Sequence, residues 1–167
     1  MLYKPTRLEH YVSTIFKNLH IYQPYEIDKI YIADKLEIKL EYSRHKPFAY
    51  EEDDFKFINI DKYETKKGQR EQFYHELCHI LRHAGDQLKM PKPFTDRQEW
   101  DAKNFMLNAA IPYHMIHLIN DDEYVNIKHL SDTFLVTENL IVERLKQINR
   151  RREMYLLESR YLQTCIY

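Results

Sequence analysis

Glycine is nearly absent from this sequence. The chain has two, Gly68 and Gly85, in 167 residues. That excludes a glycine-rich phosphate loop, a dinucleotide-binding fingerprint and any collagen-like repeat, which all need glycine at fixed offsets. Cysteine is as scarce: Cys78 and Cys165 stand far apart and form no CxxC. A disulfide framework and a thiolate zinc knuckle are therefore excluded. Charge of one sign is missing too. The 25 basic and 26 acidic side chains leave a net charge of −1, which offers no global attraction to nucleic acid or an anionic membrane. No apolar run approaches the roughly 18 residues that cross a bilayer. The first residues, Met1 to Arg7, lack the apolar stretch of a leader. A cytoplasmic protein is expected, without internal repeats or low-complexity segments.

What the chain does have is a core's worth of apolar side chains. Apolar residues make up 44% and aromatic residues 14%, too many for a disordered chain. The length suits one domain with a small lobe attached, burying roughly 70% of its unfolded surface. Thr6-x-x-Glu9 reads as a capping box and opens a helix over 7–19. Ile27, Ile30, Tyr31 and Leu36 continue at helical spacing after Pro24. From Ile38 the period changes to two. Runs at 38–42, 47–50 and 55–60 predict a small antiparallel sheet of three strands with tight connections. Helix returns over 67–84, with Phe73, Leu77, Ile80 and Leu81 at core spacing and Gly85 as the stop. Pro91 and Pro93 mark a loop, and Thr95-x-x-Gln98 opens a helix over 96–110 that ends before Pro112. Further helical segments are expected at 114–119, 124–134 and 138–149, the last capped by Thr137, with a periodic tail from Arg150. The fold class is therefore α+β.

Histidine is the residue in surplus: there are nine. Two of them lie in His75-Glu76-Leu77-Cys78-His79, an HExxH motif inside the strongest helical stretch. Positions i and i+4 of a helix differ by about 40° in azimuth and about 6 Å in rise, so both imidazoles leave one face. They suit a tetrahedral zinc ion. Glu76 falls about 60° from His79 on the same side, where a carboxylate can take a proton from an attacking water. Leu77 points into the core. A zinc peptidase needs a third protein ligand. Downstream, Asp96, Glu99 and Asp101 are all available, and a carboxylate in the first helical turn also has a bland explanation in the helix dipole.

Three stretches together resemble the ImmA/IrrE-type metallopeptidases of phages, mobile elements and stress regulators. The first, Gln72 to His83, is similar to the family's F-x-x-H-E-L-G-H-x-x-x-H helix. The second, Glu99-Trp100-Asp101-Ala102-Lys103-Asn104-Phe105 with Ala110-Ile111-Pro112, is similar to its E-x-x-A-x-x-F … L-x-P helix. The third, His129 to Leu145, looks like the helix–turn–helix-like segment that follows the zinc domain. The resemblance covers about half the chain. It implies a minimal zincin-like metallopeptidase domain over 1–120 and a C-terminal helical subdomain over 121–167. It also implies Zn2+ held by His75, His79 and Glu99, and Glu76 as the catalytic base. One residue departs from the pattern. Cys78 stands where the family has glycine, either as a small packing side chain or in a redox or inhibitory role.

Other assignments stay open on the sequence. His83 is either a half-buried histidine or a partner for a carboxylate behind the metal. Tyr113, His114, His117 and Tyr74 are candidates for stabilising the oxyanion of a tetrahedral intermediate. The segment Thr137 to Glu143, which would meet base edges in a DNA-reading pair of helices, holds two glutamates and several apolar residues. That suits packing better than a phosphate-lined groove, so no direct nucleic-acid contact and no membrane contact are expected. The resemblance implies a protein substrate, a helix–turn–helix repressor of a phage or mobile element, cut at a specific site. The alternative of another class is a non-catalytic antirepressor with a structural or vestigial zinc site.

Overall fold

In the computed structural model, residues 3–83, 91–119 and 126–164 are described, the last four as backbone only. Helix α1 (Arg7–Asn18) begins at the expected capping box: Thr6 Oγ1 accepts from the Glu9 N–H and Glu9 accepts from the Thr6 N–H at 2.8 Å. A 3-10 turn, Pro24–Glu26, leads to α2 (Lys29–Lys35), capped by Asp28. Ile32 and Ala33 are its buried residues, whereas Ile30 and Tyr31 are exposed. Helix α2 is too short for the periodicity around it to fix its buried face.

The sheet holds β1 (Ile38–Ser43), β2 (Phe48–Glu52) and β3 (Phe55–Asp61) in the order β1-β3-β2. It is not the antiparallel sheet expected. Strands β2 and β3 do form an antiparallel hairpin, Glu52 opposite Phe55, but β1 runs parallel to β3, Ile38 beside Lys56. The cause lies in β3, where Ile58, Asn59 and Ile60 are all buried although they alternate in face. Such a strand needs neighbours on both edges, and alternation marks a strand without naming its neighbours. Strand β2 supplies the return run between the parallel pair. Asp53, in the hairpin turn, takes the left-handed φ of 52° that aspartate tolerates. The Asn59 amide donates to the carbonyls of His45 and Lys46, at 3.3 and 3.1 Å, and so ties down the β1–β2 connection. Asn59→Ala should cost about 1–3 kcal/mol, read from urea unfolding, because the β1–β2 connection loses both hydrogen bonds from a buried amide.

Helix α3 (Lys66–Arg82) is capped by Thr65 and ends at His83, whose backbone is extended; the expected stop at Gly85 lies outside the described residues. Helix α4 (Lys92–Ala110) starts a turn earlier than expected. Pro93 sits in its first turn, where a missing N–H costs nothing, so the two prolines open the helix and Thr95 is inside it. A 3-10 turn, Tyr113–Leu118, follows Pro112. Helix α5 (Ile127–Phe134) ends at Leu135, in left-handed conformation, and α6 runs unbroken from Glu138 to Thr164, taking in the tail. Residues 124 and 125, expected to begin α5, lie outside the described residues.

One apolar cluster joins Val12 and Phe16 of α1, Ile58 and Ile60 of β3, Phe73 and Leu77 of α3, Phe105 of α4 and Ile141 and Ile148 of α6. The turn between α5 and α6 is pinned to the first half of α3. Lys67 Nζ reaches Ser131 Oγ and Asp132 Oδ1 at 2.7 and 2.6 Å. Buried Arg70 donates to the carbonyls of Phe134 and Ile27, and Glu71 accepts from the Thr137 N–H at 2.6 Å. Among the described residues, no helix is long and apolar enough to cross a membrane.

Candidate metal centre

The second half of α3 presents its two motif histidines side by side. His75 Nε2 and His79 Nε2 are 3.1 Å apart. Glu99, from α4, completes a triangle: its Oε2 is 3.1 Å from His75 Nε2 and its Oε1 is 3.3 Å from His79 Nε2. The donor set fits zinc. A tetrahedral ion with bonds of about 2.05 Å separates its ligand atoms by about 3.3 Å, and these three atoms are already spaced that way.

The approach of α4 rests on Ala102, fully buried at the crossing. At 100° per residue, Glu99 and Asp101 flank Ala102 at about 60° and about 100° on opposite sides, so both reach along α3. The early start of α4 puts Glu99 about two turns inside the helix, which removes the helix dipole as an explanation for its charge. Asp96 joins no cluster with the histidines, and Asp101 belongs to a second one.

Glu76 lies beside the triad and is buried. Burial, and then the neighbouring Glu99 carboxylate, push it up to about 7, while a hydrogen bond from the Ala49 N–H on β2 pulls the other way. His79 moves down to about 4, through burial first and then the neighbouring His75 and His83, which keeps it neutral and able to offer a lone pair. A cleft lined by Pro47, Gln72, His75, Glu76 and Met106 leads to the pair.

Behind the triad a second set of side chains runs away from the cleft. His83 Nδ1 is 2.9 Å from His79 Nδ1, and His83 Nε2 is 3.1 Å from Asp101 Oδ2. Arg82 grips both oxygens of Asp101, at 2.7 and 3.2 Å. Cys78 Sγ lies 3.8 Å from Asp101 Oδ2, and burial, reinforced by that carboxylate, pushes its thiol up. A buried thiol held protonated packs the helix and is a poor nucleophile.

Residues 32–146 match the model of a peptidase family described as the IrrE N-terminal-like domain. The chain belongs to that family. Two relatives of this IrrE-like chain come from Bacillus subtilis (strain 168). The phage-like element PBSX protein XkdA is 30% identical over 149 residues, covering 88% of this chain and 75% of XkdA. The uncharacterized protein YqaB is 30% identical over 162 residues, covering 95% of this chain and 94% of YqaB. No solved structure matches the chain significantly.

Within this IrrE-like fold the oxyanion candidates are turned elsewhere. The Tyr113 hydroxyl donates to the carbonyl of Tyr3, and the His114 ring bonds the carbonyl of Ile21 at 3.0 Å. Both face the N-terminal segment. His117 is exposed on the same turn, and Tyr74 is enclosed by Phe16 and Phe73. Three contributors escaped the sequence reading. Asp101 appeared there only as a rival ligand, Arg82 not at all, and the Ala49 N–H has no side-chain signature. The spacing of Asp101 from Glu99 across Ala102 is the one signal that pointed to it.

Proposed function

We propose that this protein is a zinc-dependent endopeptidase of minimal zincin-like architecture. The chemistry is assigned to residues 1–120, and packing and substrate contact to the helical subdomain, 121–167. The observation that carries the reading is the triangle of His75, His79 and Glu99 at 3.1–3.3 Å with buried Glu76 beside it. His75, His79 and Glu99 would hold the ion. When bound, zinc supplies Lewis-acid polarisation of the scissile carbonyl and acidifies an attacking water. Glu76 accepts the proton of that water and passes it to the leaving amine. The cleft at His75 and Glu76 admits the peptide.

A binding-only antirepressor has no use for this arrangement. Keeping a second carboxylate buried beside Glu99 costs stability in the metal-free protein, and groups perturbed in this way cluster at sites that exchange a proton. We assign as substrate a helix–turn–helix repressor of a phage or mobile element, supported by similarity to a protein of the phage-like element PBSX. Direct DNA reading is not part of the proposal: the start of α6 gives Leu140 and Ile141 to the core, and the Thr137 N–H goes to Glu71. Metal analysis of the purified protein should find zinc, lost in His79→Ala. Incubation with a candidate helix–turn–helix repressor should yield one pair of fragments by mass spectrometry. An intact repressor with zinc-loaded protein would sink the reading.

The substrate strand is proposed to add to the free edge of β2. Strand β3 is central and has no free edge. Successive N–H groups of a strand face opposite sides, so with Ala49 aimed at Glu76, Glu51 also faces outward while Tyr50 and Glu52 serve the hairpin. Glu51→Pro therefore spares the ladder. It should raise KM for an extended peptide by about tenfold, the loss of one charge-free main-chain bond of about 1–1.5 kcal/mol, with zinc content unchanged. An unaltered KM would rule out pairing at that position.

A further inference from the structure

We infer that His83 and Asp101 are positioning residues that lock His79 into the one tautomer able to bind a metal. The inference rests on the zinc reading above and adds the reason why His79 presents a bare Nε2. Arg82 Nε and Nη2 lie 2.7 and 3.2 Å from Asp101 Oδ2 and Oδ1. That two-pronged pairing with a guanidinium defines Asp101 as a carboxylate, which can only accept. His83 Nε2, 3.1 Å from Oδ2, must then carry a hydrogen and donate it. With His83 as the neutral imidazole, which has one N–H, its Nδ1 is left as an acceptor. It faces His79 Nδ1 at 2.9 Å, and the hydrogen between them belongs to His79. The Nε2 of His79 is therefore unprotonated where it meets His75 Nε2 and Glu99 Oε1, at 3.1 and 3.3 Å.

Every member of this chain of bonds is held. Asp101 is fixed from α4 and His83 from the end of α3, each largely shielded from solvent at 19% and 9% side-chain exposure. Arg82 stacks over the Tyr11 ring at 5.3 Å, and the Tyr11 hydroxyl bonds the carbonyl of Leu81 at 3.4 Å, which ties the relay to α1. Cys78 fits as well. A small side chain at that position leaves room for Asp101 to approach, and the thiol faces the same oxygen that His83 uses, at 3.8 Å. Without this relay, a histidine side chain favours the tautomer protonated on Nε2, which places hydrogen where the ion must bind.

The test uses the full-length protein with His83→Leu, His83→Asn and the unmodified chain. Zinc affinity is measured by competition with a chromophoric chelator. The His79 tautomer is read from its ring 15N shifts in metal-free protein. His83→Leu should weaken zinc binding by about 10–100-fold and move the His79 proton to Nε2. His83→Asn offers an amide oxygen where Nδ1 stood and should restore both the affinity and the Nδ1–H tautomer. Unchanged affinity in a folded His83→Leu protein would overturn the inference, as would an Nε2–H His79 in the unmodified chain. If His83→Leu does not fold, the tautomer in the unmodified chain decides. Absence of zinc binding by the unmodified protein would instead count against the zinc reading, and the tautomer measurement would still judge the relay.

Discussion

Glu76→Gln is expected to keep its zinc, lower peptide hydrolysis by about 10²–10⁴-fold, and make the metal-free protein more stable at neutral pH. The first two outcomes follow from removing a proton acceptor that is not a ligand. The third follows from burial. Glu76 is pushed up to about 7 from the ordinary value of 4.5, by burial first and then by the charge of Glu99. A carboxyl whose folded-state pKa lies above its unfolded value favours folding fully below about 4.5, and that contribution is lost as pH rises through about 7. Glutamine has no proton to lose. The unfolding free energies of chelated wild type and variant should therefore separate as pH goes from 5 to 8, in favour of the variant, reaching on the order of 2–3 kcal/mol. His79, lowered to about 4 by burial and its histidine neighbours, runs the opposite way. Its contribution is present above 6.5 and lost toward 4, but it is common to both proteins and drops out of the difference. A gap that stays constant with pH would show that Glu76 is not a destabilised charge. Hydrolysis surviving in the variant would remove it from the reaction.

The second large effect lies outside the metal triad. Arg144 of α6 is fully buried and pairs with Glu9 of α1, Nη1 to Oε1 at 3.0 Å. Its Nε donates to the Ile111 carbonyl at 3.2 Å and Nη1 also reaches Gln147 Oε1 at 2.6 Å. The Tyr3 hydroxyl donates to the same Glu9 oxygen. Arg144→Met should cost about 3–5 kcal/mol in urea unfolding, because it strands the Glu9 carboxylate without its counter-charge. Combining it with Glu9→Gln should recover much of that loss, since the buried charge goes as well. Burial alone would raise the Glu9 carboxyl, but the Arg144 charge, with the Thr6 N–H and Tyr3 hydroxyl, outweighs burial and holds it below the ordinary range. Its contribution is then present above about 4.5 and lost as pH falls further. Arg144→Met should flatten the acid side of the stability curve. A double variant no better than the single one would mean that Arg144 acts through packing alone.

These two sites differ in how much of them can be read before folding. Glu76 stands out because catalysis at a helix-borne metal imposes a local spacing, two imidazoles one turn apart with a carboxylate next to the first. Glu9 was visible as the third residue of a capping box, which is also local, and that bond is present at 2.8 Å. Its burial against an arginine 135 positions further on (144 − 9) is not local, and no periodicity in α1 or α6 announces it. The sheet shows the same division. Alternation found all three strands within a residue or two, but the position of β3 between its partners depended on burial of both its faces. Helix α4 starts a turn before the expected position because prolines suit the first turn of a helix as well as they suit a loop.

By itself, then, the sequence determined that His75, Glu76 and His79 share one helical face, that Thr6 precedes a helix, and that the chain belongs among mixed helix-and-strand proteins. Each follows from dihedral geometry within a few residues. Only the tertiary structure decided which carboxylate of α4 reaches the histidines, that Asp101 and His83 stand behind His79, that the Ala49 N–H meets Glu76, and that Arg144 is buried on Glu9. Those depend on how closely two helices cross at Ala102, which strand lies beside the cleft, and where a long terminal helix comes to rest. Such contacts join segments distant in the chain, and their energy exists only once the core that brings them together has formed.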